Sequence, residues 1–268
     1  MTEIKQSPID GVYLVAQPET MKKTGTLLCL FLLLTGTAIS QDAREIVRRS
    51  DEKARGSTSI ASVTIQIVRP KWTREMTVRS WSKGNSLSMI LVTAPVKDKG
   101  IVFLKRDREV WNWIPSIERN IKLPPSMMSQ SWMGTDFTND DLVKEASIVS
   151  DYSHRLSGDT ILAGRSCYQL CLIPLPHASV VWGEVILWID RTDYLLMRAE
   201  YYDEEHHLVN TLITGDIRLL GGRLLPGRME MIPADKPGQR TILQYQSLTF
   251  DIPIDDRFFT TQNMPRLQ

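Results

Sequence analysis

The chain has 268 residues, of which 42% are hydrophobic and 24% are charged. This is the composition of an ordinary globular protein, with enough apolar residues for one sizeable core. The formal net charge is +1, from 32 basic and 31 acidic residues. Such a balance creates no positive field that gathers DNA, so it argues against a nucleic-acid partner.

The N-terminal region has the order of a secretory signal peptide. Lys22 and Lys23 form a basic start, and residues 27–34 form an apolar run that is too short for a permanent transmembrane helix. Small residues follow, up to Ser40, as a signal peptidase requires. We therefore predict that residues 21–40 are a signal peptide, that cleavage follows Ser40, and that the protein is exported.

Residues 1–20 resemble no targeting segment. Our interpretation is an N-terminal extension that is not translated natively, with translation beginning at Met21; a cytoplasmic extension is the alternative. Cys29 lies inside the apolar run, whereas a lipid-anchored cysteine follows small residues and ends such a run. We interpret Cys29 as part of the signal peptide, and we expect residues 41–268 to form a single exported domain without an anchor.

A helix is predicted at the start of the mature chain. Ala43, Ile46, Val47 and Ala54 fall on one stripe of a helix, with charged residues elsewhere, and Gly56 is a plausible end.

Strand-like segments dominate after this helix. Runs of alternating apolar and polar residues are separated by turn residues, which predicts about eleven short antiparallel strands. These runs cover residues 59–68, 72–81, 86–95, 100–107, 109–115, 165–174, 183–190, 194–203, 208–220, 223–233 and 240–251. Long helices do not alternate with them, which argues against a doubly wound α/β fold. We predict a mainly β protein with one curled sheet, and the N-terminal helix is one candidate cover for its inner face.

The central stretch, residues 123–146, lacks strand alternation. Ser126 follows two prolines, and we predict that it caps a short helix that ends at Gly134. This helix carries Met127, Met128, Trp132 and Met133.

Three aspartates follow, Asp136, Asp140 and Asp141. Thr138 and Asp141 have a spacing close to that of a capping box, and Asp140 and Asp141 would lie in the first turn of a second short helix, where the helix dipole favours negative charge. A catalytic role requires a base or nucleophile nearby, which the stretch does not contain. The spacing also differs from that of a calcium loop. We predict that these acids are structural.

Other catalytic and metal-binding patterns are missing from the sequence. His206 and His207 are adjacent, so on a strand they point to opposite faces and cannot share a metal, and His154 and His177 stand alone. Zinc, phosphate-loop and serine-nucleophile motifs are absent. We predict no catalytic residue, no metal site and no cofactor, although distant residues can still assemble an enzyme site.

Cys167 and Cys171 lie in a run that alternates as a strand does. Four residues of strand span about 13 Å, whereas a disulfide requires Cα atoms within about 7 Å. We predict that both cysteines remain reduced and pack as small apolar residues.

Large apolar side chains are concentrated in the first half of the mature chain. They have two interpretations: an ordinary core, or a concave sheet face that holds an apolar ligand beneath a methionine-rich lid. The candidate cavity or lid residues are Trp72, Trp81, Met89, Trp111, Trp113, Met127, Met128, Trp132 and Met133.

The order of several motifs resembles the outer-membrane lipoprotein-sorting proteins, the LolA-like carriers. These motifs are the Gly-x-x-Phe-Leu strand of residues 100–104, Trp111 with Pro115, Trp-Met-Gly-Thr-Asp-Phe at 132–137 and Leu-Trp-Ile-Asp at 187–190. Together they extend over most of the mature chain. The sequence departs from the pattern at a hairpin tip, where Glu205 and His206 replace the expected Asp-Gly and should loosen the turn.

The resemblance implies a half-open antiparallel β-barrel with short lid helices over an apolar cavity. It also implies that Trp132, Met133 and Phe137 face the cavity or its rim, which adds Phe137 to the candidate ligand-binding residues. It implies a periplasmic carrier that shields the acyl chains of a lipoprotein or lipid and moves it towards the outer membrane. The implied partners are an inner-membrane export complex and an outer-membrane acceptor. A non-transporting lipid-binding sensor or scaffold of the envelope is the alternative, and an enzyme acting on envelope lipid is the third hypothesis.

Overall fold

The computed structural model describes residues 42–144, 148–176 and 178–267. The predicted signal peptide, its cleavage point, Cys29 and His177 lie outside these residues. Within them, no helix has the length and apolar character needed to cross a membrane.

The predicted N-terminal helix is confirmed as α1, Ala43–Arg55. The carboxylate of Asp42 caps it by accepting a hydrogen bond of 3.0 Å from the backbone N–H of Arg44. The helix ends at Gly56, which has a φ of 69° that other residues rarely adopt. Ile46 and Val47 on its predicted apolar stripe are fully buried.

The described residues contain thirteen strands, all in one antiparallel sheet. The strands are β1 Thr58–Arg69, β2 Trp72–Lys83, β3 Leu87–Ala94, β4 Val102–Arg106, β5 Glu109–Ile114, β6 Arg119–Lys122, β7 Tyr152–Leu162, β8 Arg165–Pro174, β9 Glu184–Asp190, β10 Leu196–Tyr202, β11 Leu208–Leu220, β12 Arg223–Pro233 and β13 Arg240–Phe250. Their order is β6-β5-β4-β3-β2-β1-β13-β12-β11-β10-β9-β8-β7.

The sheet curls but does not close, because β6 and β7 form its two edges and do not pair with each other. This is the half-open barrel that the sequence predicted. The strand number differs slightly, since the sequence predicted about eleven strands and missed the two edges. All four residues of β6 are exposed, and most of β7 is only partly covered.

One face of the sheet, here called the inner face, carries the main core. Alternate residues of β1, namely Ala61, Val63, Ile65 and Ile67, are buried there together with residues from most other strands. Helix α1 packs into the same cluster through its apolar stripe. The expected role of α1 as a cover for the inner face is therefore confirmed.

The opposite, outer face carries an apolar row across β2–β5, which the chain end covers. Trp81, Met89, Leu104 and Trp111 lie directly opposite one another on successive strands, so their side chains share one face. Side chains of residues 254–267 pack over this row and over Trp113. We call this group the outer cluster.

The central stretch differs in part from its prediction. Only a single turn of 3-10 helix, Pro125–Met127, forms where a longer helix was expected, and no side chain caps it. The prediction that Ser126 is a helix cap is wrong. The following Met128 is helical in its backbone angles, but after it the chain turns to bring residue 131 opposite residue 138.

The capping box, by contrast, is confirmed. The backbone N–H of Thr138 donates to Asp141 Oδ2 at 2.8 Å, and the N–H of Asp141 donates to Thr138 Oγ1 at 3.1 Å. These reciprocal bonds open a short π-helix, Asp140–Lys144.

The hairpin tip between β10 and β11 is closed by a carboxylate. Asp203 Oδ1 accepts hydrogen bonds from the backbone N–H groups of Glu205 and His207, at 3.0 and 2.8 Å. His206 adopts a φ of 62° at the position where the family pattern has glycine. The departure from Asp-Gly therefore leaves the hairpin in place, with a non-glycine residue in the left-handed region.

Cys167 and Cys171 are both buried and unpaired on β8. The prediction of two reduced cysteines is confirmed.

Candidate functional site

A cavity of about 210 Å³ lies on the inner face. Strands β1, β2, β3 and β13 form its floor. Helix α1 contributes Asp51, Ala54 and Arg55, and the central stretch contributes Trp132 and Leu142. The cavity thus lies where the curled sheet meets its covering segments.

Most of the wall is apolar because of strand alternation. Ala61, Val63 and Ile65 point from β1 to the same face, and Leu243 of β13 lies directly opposite Ile65. Ala61 and Ser80 lie directly opposite each other on β1 and β2, and both present small side chains to the cavity. A sheet with small residues at its centre and a tryptophan above them encloses a cavity instead of a filled core.

Trp132 forms the roof of this cavity. Its side chain is 1% exposed and packs against Phe103 with a ring-centre distance of 5.3 Å. The backbone N–H of Trp132 donates to the carbonyl of Phe137 at 2.9 Å, and this bond closes the loop that carries Trp132 and Phe137. The roof is therefore a compact loop that is built into the core.

A buried ion pair anchors this loop to the sheet. Asp136 Oδ2 accepts hydrogen bonds from Arg69 Nη1 at 2.9 Å and from the hydroxyl of Thr241 at 2.7 Å. Arg69 Nη2 also donates to the carbonyl of Gly134 at 2.9 Å. The side chains of Arg69 and Asp136 are 11% and 6% exposed. Asp136 thus fixes the loop to the ends of β1 and β13.

Asp141 also acts as a structural acid. Besides its bond to Thr138, it accepts a hydrogen bond of 2.9 Å from Trp182 Nε1. Burial raises the pKa of its carboxyl, and the nearby charge of Asp140 acts in the same direction. Burial and the same two aspartates also raise the pKa of the Tyr152 hydroxyl. The aspartates of the central stretch therefore cap a helix and anchor a loop.

One end of the cavity is polar. Ser59 and Ser82 lie opposite each other, with their hydroxyl oxygens 2.7 Å apart, and Ser88 follows on β3. Asp51 and Arg55, one turn apart on α1, form an ion pair of 2.8 Å above this end. The cavity is thus amphipathic, with hydroxyl and charged groups at one end and aliphatic walls at the other.

The structure separates the ten predicted site residues into four groups. Trp132 lines the cavity, and Trp81, although it belongs to the outer cluster, also borders it. Met127, Met128, Met133 and Phe137 pack with the inner core. Met89, Trp111 and Trp113 lie in the outer cluster, and Trp72 is 52% exposed. Ligand contact by these residues remains a prediction, and the proposals below use Trp132 alone.

Sequence reasoning missed the small and polar lining residues. They are Asp51, Arg55, Ser59, Ala61, Ser80, Ser82 and Ser88. A signal was present, because Ser59 and Ala61 share the inner face of an otherwise aliphatic strand. Small residues at such positions indicate space above the sheet.

One group of side chains has the spacing of metal ligands. The donor atoms of Asp203, Glu205 and His207 lie within 4.8 Å of one another at the exposed hairpin tip. Asp203 already closes the turn, and exposed acidic groups of this kind commonly occur without an ion.

Comparison with solved structures identifies the class of the fold. A DUF1329 family protein from Desulfovibrio piger has a TM-score of 0.75 and 20% identity, covering 83% of this chain and 97% of its own. A domain from Vibrio parahaemolyticus described as an outer membrane lipoprotein-sorting protein has a TM-score of 0.75 and 19% identity, covering 84% and 98%. A LolA superfamily protein from Nitrosomonas europaea has a TM-score of 0.71 and 24% identity, covering 82% and 98%.

These likenesses show that the fold is LolA-like, as the sequence motifs predicted. A comparison with curated proteins finds no match. A family model described as "Uncharacterized protein" matches residues 84–266, more than half of the chain, and the protein belongs to that family.

Proposed function

We propose that this protein is a periplasmic carrier that shields the acyl chains of a lipid or lipoprotein and moves them towards the outer membrane. The observation that carries the proposal is the cavity between the inner face of the sheet and its covering segments. The aliphatic walls of the cavity, formed by Val63, Ile65 and Leu243, favour an apolar ligand. The signal-peptide pattern of residues 21–40 and the LolA-like fold support export and carriage.

The partners follow from this role. A carrier that moves lipid between two membranes receives its cargo from a donor at the inner membrane and delivers it to an acceptor at the outer membrane. We therefore propose an inner-membrane export complex and an outer-membrane acceptor as partners, and no catalytic step.

The first test is direct recovery of the cargo. The full chain is expressed in a Gram-negative cell, purified from the periplasm and analysed by mass spectrometry for co-purifying lipid. We expect a mature N-terminus at Gln41 and a bound acylated molecule. Protein that retains Met1 or Met21, or that carries no acylated molecule and extracts none from vesicles, contradicts the proposal.

The second test blocks the cavity. Ala61→Phe places a ring in the cavity, while Thr64→Phe places the same ring on the other face of β1. We expect Ala61→Phe to lower the rate of lipid transfer between donor and acceptor vesicles at least tenfold. Overpacking costs about 1–3 kcal/mol, so thermal melting is measured on both variants. Equal transfer rates for two folded variants contradict the assignment of the cavity.

A further inference from the structure

The polar end of the cavity contains hydroxyl groups that are available to a ligand. Ser80 and Ser88 line the cavity, and their hydroxyls have no hydrogen-bond partner in the described part of the chain. Beside them, Lys105 is 5% exposed, lies directly opposite Ser88 and donates to the carbonyl of Asn85 at 2.6 Å. Polar groups in such a place are more stable when a ligand or water completes their hydrogen bonds.

The same end leads to the surface. Asp51 and Arg55 line the cavity and also line a second depression of about 600 Å³ at the protein surface. Their side chains are only 14% and 16% exposed. Arg48, Glu52 and Arg223 lie around the outer depression, so its walls are charged. The Asp51–Arg55 ion pair therefore separates an apolar interior from a charged surface depression, as at the entrance of a site for an amphiphile.

The size of the cavity limits the number of acyl chains that it can hold. An apolar cavity of about 150 Å³ binds one benzene ring, and pockets that enclose whole ligands measure about 300–1,000 Å³. The cavity here is about 210 Å³. Its lining extends along β1 from Ser59 to Ile65, a span of about 20 Å at the usual rise per residue. Such a long, narrow space accommodates part of one acyl chain and not two or three chains side by side.

We propose that the cavity is a site for a single-chain amphiphile, oriented with its polar head at the serines and the Asp51–Arg55 ion pair and its acyl chain beneath Trp132. This inference rests on the proposed function and specifies its ligand as one acyl chain with a hydrogen-bonding head. A free fatty acid, a monoacylglycerol and a lysophospholipid share this chemistry.

The test compares ligands that differ in their number of acyl chains. Purified mature protein is titrated with palmitate, monopalmitoylglycerol, palmitoyl lysophosphatidylethanolamine, dipalmitoyl phosphatidylethanolamine and a tripalmitoylated lipopeptide. Tryptophan fluorescence and native mass spectrometry report binding. We expect saturable binding of at least one single-chain ligand in a one-to-one complex, at least tenfold tighter than the two- and three-chain ligands.

Variants then test the orientation of the ligand. Asp51→Asn combined with Arg55→Gln keeps the net charge of the α1 pair at zero, and Ser80→Ala combined with Ser88→Ala removes two hydroxyls. We expect each double variant to weaken binding of the preferred single-chain ligand at least fivefold. The matched control is Asp159→Asn with Arg191→Gln, an ion pair whose two residues do not line the cavity, which should leave binding unchanged. Circular dichroism confirms that each variant is folded.

Each outcome has a distinct meaning. Tight binding of the tripalmitoylated lipopeptide without binding of single-chain lipids overturns this inference and leaves the proposed carrier function standing. Binding of none of the five ligands overturns both. Single-chain binding that neither double variant weakens overturns the placement of the head. Single-chain preference that both double variants weaken supports the whole inference, whichever head binds best.

Discussion

The buried ion pair that anchors the roof loop should be a major contributor to stability. Asp136→Ala removes the carboxylate that accepts hydrogen bonds from Arg69 and Thr241. The Arg69 side chain is only 11% exposed, so its charge would remain buried beside an empty site. Removing one partner of a buried pair costs about 3–5 kcal/mol, since the other charge loses its compensation.

The expected decrease in the free energy of unfolding is large enough to measure by two methods. For a chain of this size, 1 kcal/mol corresponds to about 2–4 °C in melting temperature, so about 3–5 kcal/mol predicts a decrease of about 6–20 °C. Urea unfolding gives the free energy directly. Asp98→Ala is the control, because the partner of Asp98, Arg74, is 36% exposed and a more solvated pair is worth about 0–1 kcal/mol.

A double-mutant cycle separates the pair from its surroundings. Arg69→Met removes the charge that Asp136→Ala leaves uncompensated. The free energy of unfolding should therefore fall less in the double variant than the sum of the two decreases in the single variants. The reasoning is refuted if Asp136→Ala is no more costly than Asp98→Ala, or if the effects of the two single variants at the roof loop are additive.

Three further predictions concern single residues. Burial raises the pKa of Asp141, so stability should fall as pH rises above the unfolded pKa of an aspartate, which is about 4. Asp141→Asn should remove that fall in a series of urea titrations at increasing pH. His206, with a φ of 62°, occupies a conformation that costs about 1–2 kcal/mol outside glycine. His206→Gly should therefore raise the melting temperature, while His207→Gly should not. Burial raises the pKa of both Cys167 and Cys171, so iodoacetamide should leave the folded protein unmodified at neutral pH and label two thiols after unfolding without reductant.

Each of these three predictions would be contradicted by a specific result. A pH dependence that is unchanged by Asp141→Asn shows that the carboxyl titrates as it does in the unfolded chain. Equal or lower stability of His206→Gly shows that the lost contact between His206 and Glu184 outweighs the relief of the backbone. A mass lower by two hydrogens, with no labelled thiol, shows a disulfide on β8.

The sequence predicted the parts of the fold that local physics controls. Helix α1 followed from its apolar stripe and from Gly56, and the reciprocal bonds of Thr138 and Asp141 followed from their spacing. The inner strands followed from alternation, since a strand with neighbours on both sides buries alternate side chains. Strands β6 and β7 were missed because an edge strand pairs on one side only, and most residues of these two strands remain exposed or half-buried.

The site was predictable only in part. Trp132 was recognised as a large apolar residue in a stretch without strand alternation, and it lies over the cavity. Ser126 was misplaced as a helix cap, because the segment after it folds back through the contact of Ser131 with Thr138 and not through a continuing helix. That choice depends on the anchor between Asp136 and Arg69, which are distant in sequence.

Alternation by itself determined which side chains of this protein share a face of the sheet. It placed Ala61 with Val63 on β1, and Trp111 with Trp113 on β5. Only the tertiary structure decided which face encloses a cavity. Strands β3 and β4 carry large apolar side chains on both faces, with Met89 and Leu104 on the outer face and Ile90 and Phe103 on the inner face, so a period of two residues cannot distinguish the faces there. The distinction arises from long-range packing: the chain end fills the outer face with its own side chains, whereas α1 and the roof loop cover the inner face and leave a space above its small residues.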